Sequence, residues 1–163
     1  MVTEDRYPVE GHVVLSSEGV RLHALERIGR RLAHALRPGD LVLLYGPLGA
    51  GKTTLIRVVA AELGVVDAVR SPSFTIANIY QGRVTVQHLD LYRLDEIGED
   101  DALALEEYVR PDAITFVEWP EAGLGRLGEA GWVIRLDHES LHERSVSIEA
   151  RTEAARACWE NAA

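Results

Sequence analysis

A short segment near residue 50 combines a flexible backbone with one cation and two hydroxyl groups. The segment GPLGAGKTT spans residues 46–54 and contains the pattern GxxxxGK[ST]. Glycines lack a Cβ and can take positive φ, so the backbone can curl until its N–H groups point at phosphate oxygens. The lysine adds a full positive charge, and the hydroxyl of the first threonine is a ligand for Mg²⁺. This is the chemistry that binds a nucleoside triphosphate, and it predicts a P-loop.

The elements around this segment favour an anion at the same place. The loop follows the apolar run LVLLY (41–45) and precedes KTTLIRVVAAEL (52–63), whose apolar spacing is helical. The amino end of a helix carries roughly half a positive charge, which stabilises a phosphate group. An ordinary glycine-rich turn has no need for lysine and threonine at these positions. The predicted nucleotide contacts in this segment are Gly46, Leu48, Gly49, Ala50, Gly51, Lys52, Thr53 and Thr54.

Two acidic residues at the ends of predicted strands are candidates for the remaining chemistry. Asp90 ends the segment VTVQHLD, and Glu118 ends the segment ITFVE. A P-loop needs a carboxylate that holds Mg²⁺ directly or through water, usually at the carboxyl end of a strand. One such acid is about as often a simple turn or helix cap, but two of them beside one P-loop favour a metal site. The two acids can therefore bind metal or position water: Thr53, Glu118 and Asp90 are the candidate Mg²⁺ ligands, and Lys52, Asp90 and Glu118 are the candidate catalytic residues.

Hydrophobic spacing along the rest of the chain predicts an α/β fold. The runs LVLLY and AITFVEW (113–119) are apolar, as expected of strands that are buried on both faces. Residues 74–80 and 83–91 predict one β-hairpin, and residues 132–137 and 144–150 predict another. We expect a three-layer fold like that of P-loop NTPases, with a central mixed, mostly parallel sheet flanked by helices.

The amino-terminal part predicts a strand followed by a helix. The segment HVVL (12–15) is rich in β-formers, and Ser16 with Ser17 resembles the start of a helix that ends before Pro38. An acidic stretch at residues 95–109 predicts a short helix.

Length and composition favour one domain. The 163 residues suffice for a single core, and no repeat or linker marks a boundary. We predict one P-loop domain over residues 1–150 and a tail or short helix over residues 151–163. The sequence contains no apolar run of the roughly 20 residues that span a bilayer, and its acidic amino terminus resembles neither a secretion nor a transit signal. We therefore expect a cytoplasmic protein without membrane contact, which agrees with a single cysteine, Cys158.

The charge of the chain bears on its partners. The net charge is −9, whereas nucleic-acid binding relies on lysine and arginine to neutralise phosphates. Any role in RNA chemistry is therefore expected to run through a protein partner.

Four sequence blocks, in this order, resemble the TsaE (YjeE) family of bacterial P-loop ATPases. They are GPLGAGKTT, SPSF (71–74), HLDLYRL (88–94) and VEWPE (117–121), and the likeness spans about residues 25–150. The resemblance implies an ATP- and Mg²⁺-dependent ATPase that is required for N6-threonylcarbamoyladenosine at position 37 of tRNAs reading codons that begin with A. It also implies that the ATPase works with a TsaB–TsaD heterodimer, meeting tRNA only indirectly through that complex.

The resemblance also suggests roles for single residues. Thr53 and Glu118 resemble the Mg²⁺ ligands, while Asp90 matches an acid that orients water or holds a metal-bound water. Ser73 lies in a segment that resembles the sensor of the γ-phosphate, and Arg144 matches an arginine near the nucleotide. The last position of interest is Leu25, where the family often has a threonine, and this leaves base recognition open.

Trp119 matches a family tryptophan that follows the metal-binding glutamate. On sequence alone we interpret it as a core aromatic residue. No arginine is identifiable as an arginine finger, a group worth roughly 10³ to 10⁵ in rate. We therefore expect slow hydrolysis by the isolated chain.

Other functions fit the sequence less well. HESLH (138–142) matches the zinc-protease pattern HExxH, but that chemistry needs both histidines on one helix, and the segment lies between two predicted strands, so no zinc is expected. A GTPase would carry the guanine-reading block NKxD, which this sequence lacks. A small-molecule kinase would ordinarily carry an arginine-rich lid over the phosphates, whereas the glycine-rich loop (121–131) has only Arg126. A nucleotide-gated scaffold that binds ATP but hardly hydrolyses it remains open.

Overall fold

Strands and helices alternate around one sheet in the computed structural model, which describes residues 11–72, 76–92, 94 and 105–163. The strands are β1 (His12–Val20), β2 (Leu41–Tyr45), β3 (Ala77–Gln81), β4 (Thr85–Asp90), β5 (Ala113–Glu118), β6 (Trp132–His138) and β7 (Arg144–Ala150). The helices are α1 (Leu22–Ala35), α2 (Lys52–Glu62), α3 (Leu105–Tyr108) and α4 (Glu153–Asn161), and a 3₁₀ turn spans Pro120–Gly123. Along the described residues, no helix has the length and apolar character needed to cross a bilayer.

The sheet is mixed, and most of its strands share one direction. Among the described residues the strand order is β1-β7-β6-β2-β5-β4-β3. The neighbours β6, β2, β5 and β4 pair in parallel, whereas β3, β7 and β1 join antiparallel. The expected mixed, mostly parallel sheet is thus confirmed, and the carboxyl ends of β2, β4, β5 and β6 meet at one edge.

Strand β2 lies at the centre because its side chains alternate between two apolar layers. Val42 and Leu44 pack with α1, α2 and α4 on one face, whereas Leu41 and Leu43 pack on the other. The second layer contains Leu105 of α3 and Leu127 of the glycine-rich loop. A strand that is buried on both faces needs apolar residues at every position, which explains the uninterrupted run LVLLY.

Both predicted hairpins form, as β3 with β4 and β6 with β7. The prediction of a helix start at Ser16 and Ser17 is wrong. Strand β1 continues through both serines to Val20, and they pair with β7. Helix α1 begins only at Leu22, after an irregularity in the pairing where Gly19 has φ +62°. The ladder hydrogen bonds to a distant strand outweigh the local capping preference of serine.

Helix α4 occupies the end of the chain and packs on α1 and β6. Thr152 caps it by accepting a hydrogen bond from the Ala155 N–H at 3.0 Å. Trp159 is buried, with its ring 6.4 Å from that of Trp132. The Arg31 guanidinium lies 4.1 Å from the Trp159 ring centroid. Aromatic burial therefore holds these last residues to the body of the sheet.

Candidate functional site

The loop after β2 is shaped by glycines in conformations that other residues avoid. Gly46 has φ +146° and Gly51 has φ +108°. A Cβ on Gly46 would overlap the carbonyl oxygen of Leu136. Gly51 precedes the first residue of α2, so the free N–H groups at the amino end of the helix face the concave side of the loop. The loop therefore has the shape and polarity of a phosphate cradle.

Lys52 is the cation of this cradle and is 95% buried, with an exposed fraction of 5%. Its Nζ donates to the Gly46 carbonyl and lies 3.7 Å from the ring centroid of Trp119. Burial lowers the pKa of the Lys52 ammonium, while the nearby charges of Glu118, Asp90 and Glu121 oppose that change. The Gly46 carbonyl and the Trp119 ring are both neutral, so no anion contacts the ammonium directly in the described residues.

Thr53, Glu118 and His88 form a hydrogen-bonded chain beside the lysine. The Thr53 hydroxyl donates to Oε1 of Glu118 at 2.9 Å. The other carboxylate oxygen, Oε2, lies 2.9 Å from Nε2 of His88. Glu118 and His88 are buried, with exposed fractions of 2% and 0%. The predicted metal ligands Thr53 and Glu118 are thus brought into direct contact.

Asp90 lies on the strand next to Glu118. The two acids are register partners at the ends of β4 and β5. The Asp90 carboxylate accepts from the Ser71 hydroxyl at 2.8 Å and from the Tyr92 N–H at 3.0 Å. These contacts fix the side chain at the same edge of the sheet as the P-loop.

The residues present fit a Mg²⁺ ion that takes some of its ligands from the protein and the rest from phosphate and water. The site offers the hydroxyl of Thr53 and the carboxylate of Glu118, both oxygen donors. Over the ranges that the structure describes, no group of three or more His, Cys, Asp or Glu residues is arranged to hold a metal. Mg²⁺ is usually bound by one or two carboxylates with water and substrate phosphates. A magnesium nucleotide, rather than a metal alone, suits this donor set.

Two further predicted residues lie behind the loop. A Cβ built on Gly51 would lie 3.4 Å from Leu25 and 3.5 Å from Nε of Arg144. Leu25 is fully buried. Nη1 of Arg144 is also buried and makes no hydrogen bond among the described residues. The guanidinium therefore adds positive charge next to the amino end of α2.

The remaining loop residues differ in exposure. Leu48 is 80% exposed, whereas Ala50 is fully buried and Thr54 is half-buried. The Leu48 carbonyl lies 3.1 Å from Nε2 of His138. Ser73, the predicted phosphate sensor, lies outside the described residues.

Comparisons with known proteins identify the family. The family model for the threonylcarbamoyl adenosine biosynthesis protein TsaE matches residues 20–146. The chain belongs to the TsaE family. It is 44% identical to the tRNA threonylcarbamoyladenosine biosynthesis protein TsaE of Synechocystis over 61% of this chain and 66% of that protein. It is 42% identical to the protein of the same name from Streptomyces coelicolor over 69% of this chain and 78% of that protein.

A solved structure supports the same assignment. The crystal structure of Bacillus subtilis YdiB superimposes with a TM-score of 0.77 and 28% sequence identity, covering 94% of this chain and 97% of that one. The shared fold and the matched blocks place this TsaE-family chain among α/β proteins with a P-loop, as its sequence indicates.

The HExxH segment of this TsaE-family chain is not a helix. His138 ends β6, and residues 139–143 form the loop that leads into β7. The imidazole of His138 contacts the Leu48 carbonyl of the P-loop. The segment therefore supports the cradle and does not present two histidines on one helical face.

The position of Trp119 differs from the interpretation made from sequence, in which it is a core aromatic residue. It is half-exposed and not a core residue, and its backbone has φ +53° just before Pro120. Its ring lies over Lys52 and 4.9 Å from the ring of Tyr92. Positive φ is rare for a bulky residue, and here it turns the indole toward the buried ammonium of Lys52.

Two contacts of the site were missed by sequence reasoning. Ser71, which holds Asp90, belongs to the SPSF block, so its position in that block was an available signal. His88 lies two residues before Asp90 on the same strand, and the period of two places both on one face of the sheet. That spacing alone could have suggested that His88 belongs to the site.

Proposed function

We propose that this TsaE-family chain hydrolyses ATP with Mg²⁺ in the cytoplasm. Hydrolysis would support a TsaB–TsaD complex in N6-threonylcarbamoyladenosine modification of tRNA position 37. The observation that carries the ATPase proposal is the direct contact between Thr53 and Glu118 beside a buried P-loop lysine. The pathway part is supported by the family and by relatives named as tRNA threonylcarbamoyladenosine biosynthesis proteins.

In this proposal the loop binds the phosphates and Lys52 neutralises part of their charge. Backbone N–H groups and the amino end of α2 are fixed before the ligand arrives, so they need little reorganisation as charge develops. The Lys52 ammonium would exchange its contact with the Gly46 carbonyl for phosphate oxygens. Exchanging a neutral acceptor for an anionic one strengthens the hydrogen bond.

The other residues would hold the cation and the attacking water. Thr53 and Glu118 would bind Mg²⁺, which supplies charge neutralisation at the β- and γ-phosphates. Asp90 would orient the attacking water or a metal-bound water, because Ser71 and the Tyr92 N–H hold its carboxylate at the neighbouring strand end. Arg144 would add positive charge near the nucleotide.

The rate is expected to be low without a partner. A partner-supplied or rearranged arginine typically adds roughly 10³ to 10⁵ in rate to P-loop hydrolases. The net charge of −9 fits a component that contacts the proteins of a tRNA-modifying complex more readily than tRNA itself.

The ATPase proposal is tested with γ-labelled ATP and thin-layer separation of the products. We expect slow release of free phosphate that requires Mg²⁺ and is lost in Thr53→Ala. Label transferred to a small-molecule acceptor would indicate a kinase, and a preference for GTP would indicate a GTPase. Nucleotide binding with no phosphate release, alone or with partners, would indicate a nucleotide-gated scaffold.

The pathway proposal is tested by affinity capture from cytosol of the source cells. Tagged protein with ATP is expected to retain a TsaB–TsaD pair, and Lys52→Met is expected to retain less. Reproducible capture of other proteins without that pair would contradict the pathway while leaving the ATPase proposal intact.

A further inference from the structure

His88 is a buried polar residue that the proposed reaction does not use directly. It lies in β4, is fully buried, and faces the same side of the sheet as Asp90, two residues later. Its Nε2 lies 2.9 Å from Oε2 of Glu118. An imidazole at this depth loses hydration and is retained only where it makes a compensating hydrogen bond.

The surroundings of the ring indicate which nitrogen carries the proton. Nδ1 of His88 is buried and has no hydrogen-bond partner among the described residues. A proton on Nδ1 would be a donor without an acceptor, whereas an unpaired acceptor is tolerated more readily. The tautomer with the proton on Nε2 is therefore favoured, and in it Nε2 donates to Oε2 of Glu118.

This contact completes the fixation of the Glu118 carboxylate. Oε1 accepts from the Thr53 hydroxyl, and Oε2 accepts from His88. With only the first contact, the carboxylate could rotate about its terminal torsion, which is broad in glutamate. With both, its plane is fixed against α2.

We propose that His88 is a positioning residue that holds Glu118 against Thr53, so that the two oxygens that bind the cation are arranged before it arrives. This inference rests on the proposed Mg²⁺ nucleotide site. Polar groups that orient metal ligands commonly change metal affinity by about 10- to 100-fold when they are removed. The His88 contact is of this kind because it reaches the ligand and not the metal.

The test measures Mn²⁺ affinity of the whole chain bound to the non-hydrolysable analogue AMP-PNP, by electron paramagnetic resonance of free Mn²⁺. His88→Leu is expected to weaken Mn²⁺ affinity at least about 10-fold. His88→Gln, whose amide reaches the position of Nε2, is expected to recover most of that affinity. His88→Asn, whose shorter amide falls short of Glu118, is expected not to, and it allows the comparison with Gln even if the Leu variant does not fold.

A matched control lies one residue away on the same strand. Gln87 is 1% exposed and faces the opposite side of the sheet, where it lies 3.4 Å from the Thr115 hydroxyl. Gln87→Met removes an equally buried polar group, so it is expected to change the melting temperature but not Mn²⁺ affinity. Binding of AMP-PNP without metal should stay within about twofold of wild type in all the folded variants.

The outcomes separate the two proposals. Equal Mn²⁺ affinity in wild type, His88→Asn and His88→Gln would overturn the positioning role alone. An equal loss in Gln87→Met would also overturn it, because the effect would then come from general destabilisation. A wild-type protein that binds AMP-PNP but no Mn²⁺ would overturn the proposed magnesium site and the role of His88 with it.

Discussion

The two ends of the central strands bury polar groups for different purposes. At the carboxyl ends of β2 and β5, Lys52 and Glu118 are buried beside the P-loop, and the Thr53 hydroxyl contacts Glu118. At the amino end of β2, the Asp40 carboxylate accepts from the Arg37 N–H at 2.8 Å and from Nε1 of Trp132 at 3.2 Å. The first set surrounds an open cradle, whereas Asp40 ties a turn to a neighbouring strand.

The comparison shows that open space does not by itself mark the site. A cavity of about 460 Å³ lies at the amino end, and it is lined mainly by glycines and apolar residues with Asp40, Glu129 and Arg151. A cavity of about 480 Å³ also touches Tyr45 and Gly46 at the carboxyl end of β2, and only at that end do the loop N–H groups, the Lys52 ammonium and the carboxylate of Glu118 converge. In open parallel sheets ligands bind outside the carboxyl ends of the strands, and the convergence of polar groups here follows that rule.

Removal of the Glu118 carboxylate should have the largest effect on folding. Glu118→Ala leaves the donors of Thr53 and His88 without their acceptor, so we expect the free energy of unfolding to fall by about 3 kcal/mol. Asp40→Ala, its counterpart at the more exposed end, should cost about 1 kcal/mol. Urea unfolding of both variants measures the two losses in the free energy of unfolding. Equal losses would contradict the expected difference between the carboxyl and amino ends of the strands.

Removal of the buried cation should abolish nucleotide stabilisation. At 100 times the dissociation constant, Mg²⁺·ATP should stabilise wild type by about 2.7 kcal/mol, and Lys52→Met should lose that gain. Arg57→Met, a change one turn further along α2, is the control and should keep it. Thermal melting with and without Mg²⁺·ATP measures the gain, and a full shift in Lys52→Met would contradict the role of the lysine.

Substitution of two glycines distinguishes the cost of steric overlap from the cost of backbone strain. Gly46 and Gly128 both have positive φ, but a Cβ on Gly46 would meet the Leu136 carbonyl, whereas a Cβ on Gly128 would meet nothing within 4 Å. Gly128→Ala should cost about 1 kcal/mol through strain alone, and Gly46→Ala about 2 kcal/mol more. Similar unfolding midpoints for the two variants would show that the loop can relax.

The smallest effect concerns pH and the Asp40 carboxyl. Burial raises the pKa of Asp40, and hydrogen bonds from the Arg37 N–H and Trp132 oppose that change only in part. Because the folded-state pKa lies above the unfolded value, the contribution of this carboxyl to stability is largest below the unfolded pKa and is lost as pH rises through the folded pKa. Asp40→Asn keeps an acceptor without the charge, so it should be more stable than wild type near pH 7. That advantage should vanish near pH 3, and an advantage that grows in acid would contradict the pKa direction.

The P-loop and its flanking elements were predictable because their signals are local. Gly46, Lys52 and Thr53 lie within one short segment, and the strand before it and the helix after it have the expected apolar spacing. The hairpins were predictable for the same reason. Asp90 and Glu118 were predicted only as acids at strand ends, because a sequence does not state which strands pair.

The parts that sequence reasoning missed depend on long-range pairing. The contact between His88 and Glu118 requires the parallel register of β4 with β5. The extension of β1 through Ser16 requires its pairing with β7, a hydrogen-bonded ladder that local propensity does not encode. The contact of Trp119 with Lys52 depends on the positive φ of Trp119 itself, which local sequence preferences do not predict.

We propose that the carboxyl end of β2 binds a magnesium triphosphate and that the amino end does not. The most direct measurement is a ¹H–¹⁵N NMR titration of the whole chain with Mg²⁺·AMP-PNP. We predict large amide shifts at residues 49–53 that are lost in Lys52→Met, with residues 39–43 unchanged. Saturable shifts at residues 39–43 with residues 49–53 unmoved would contradict the account.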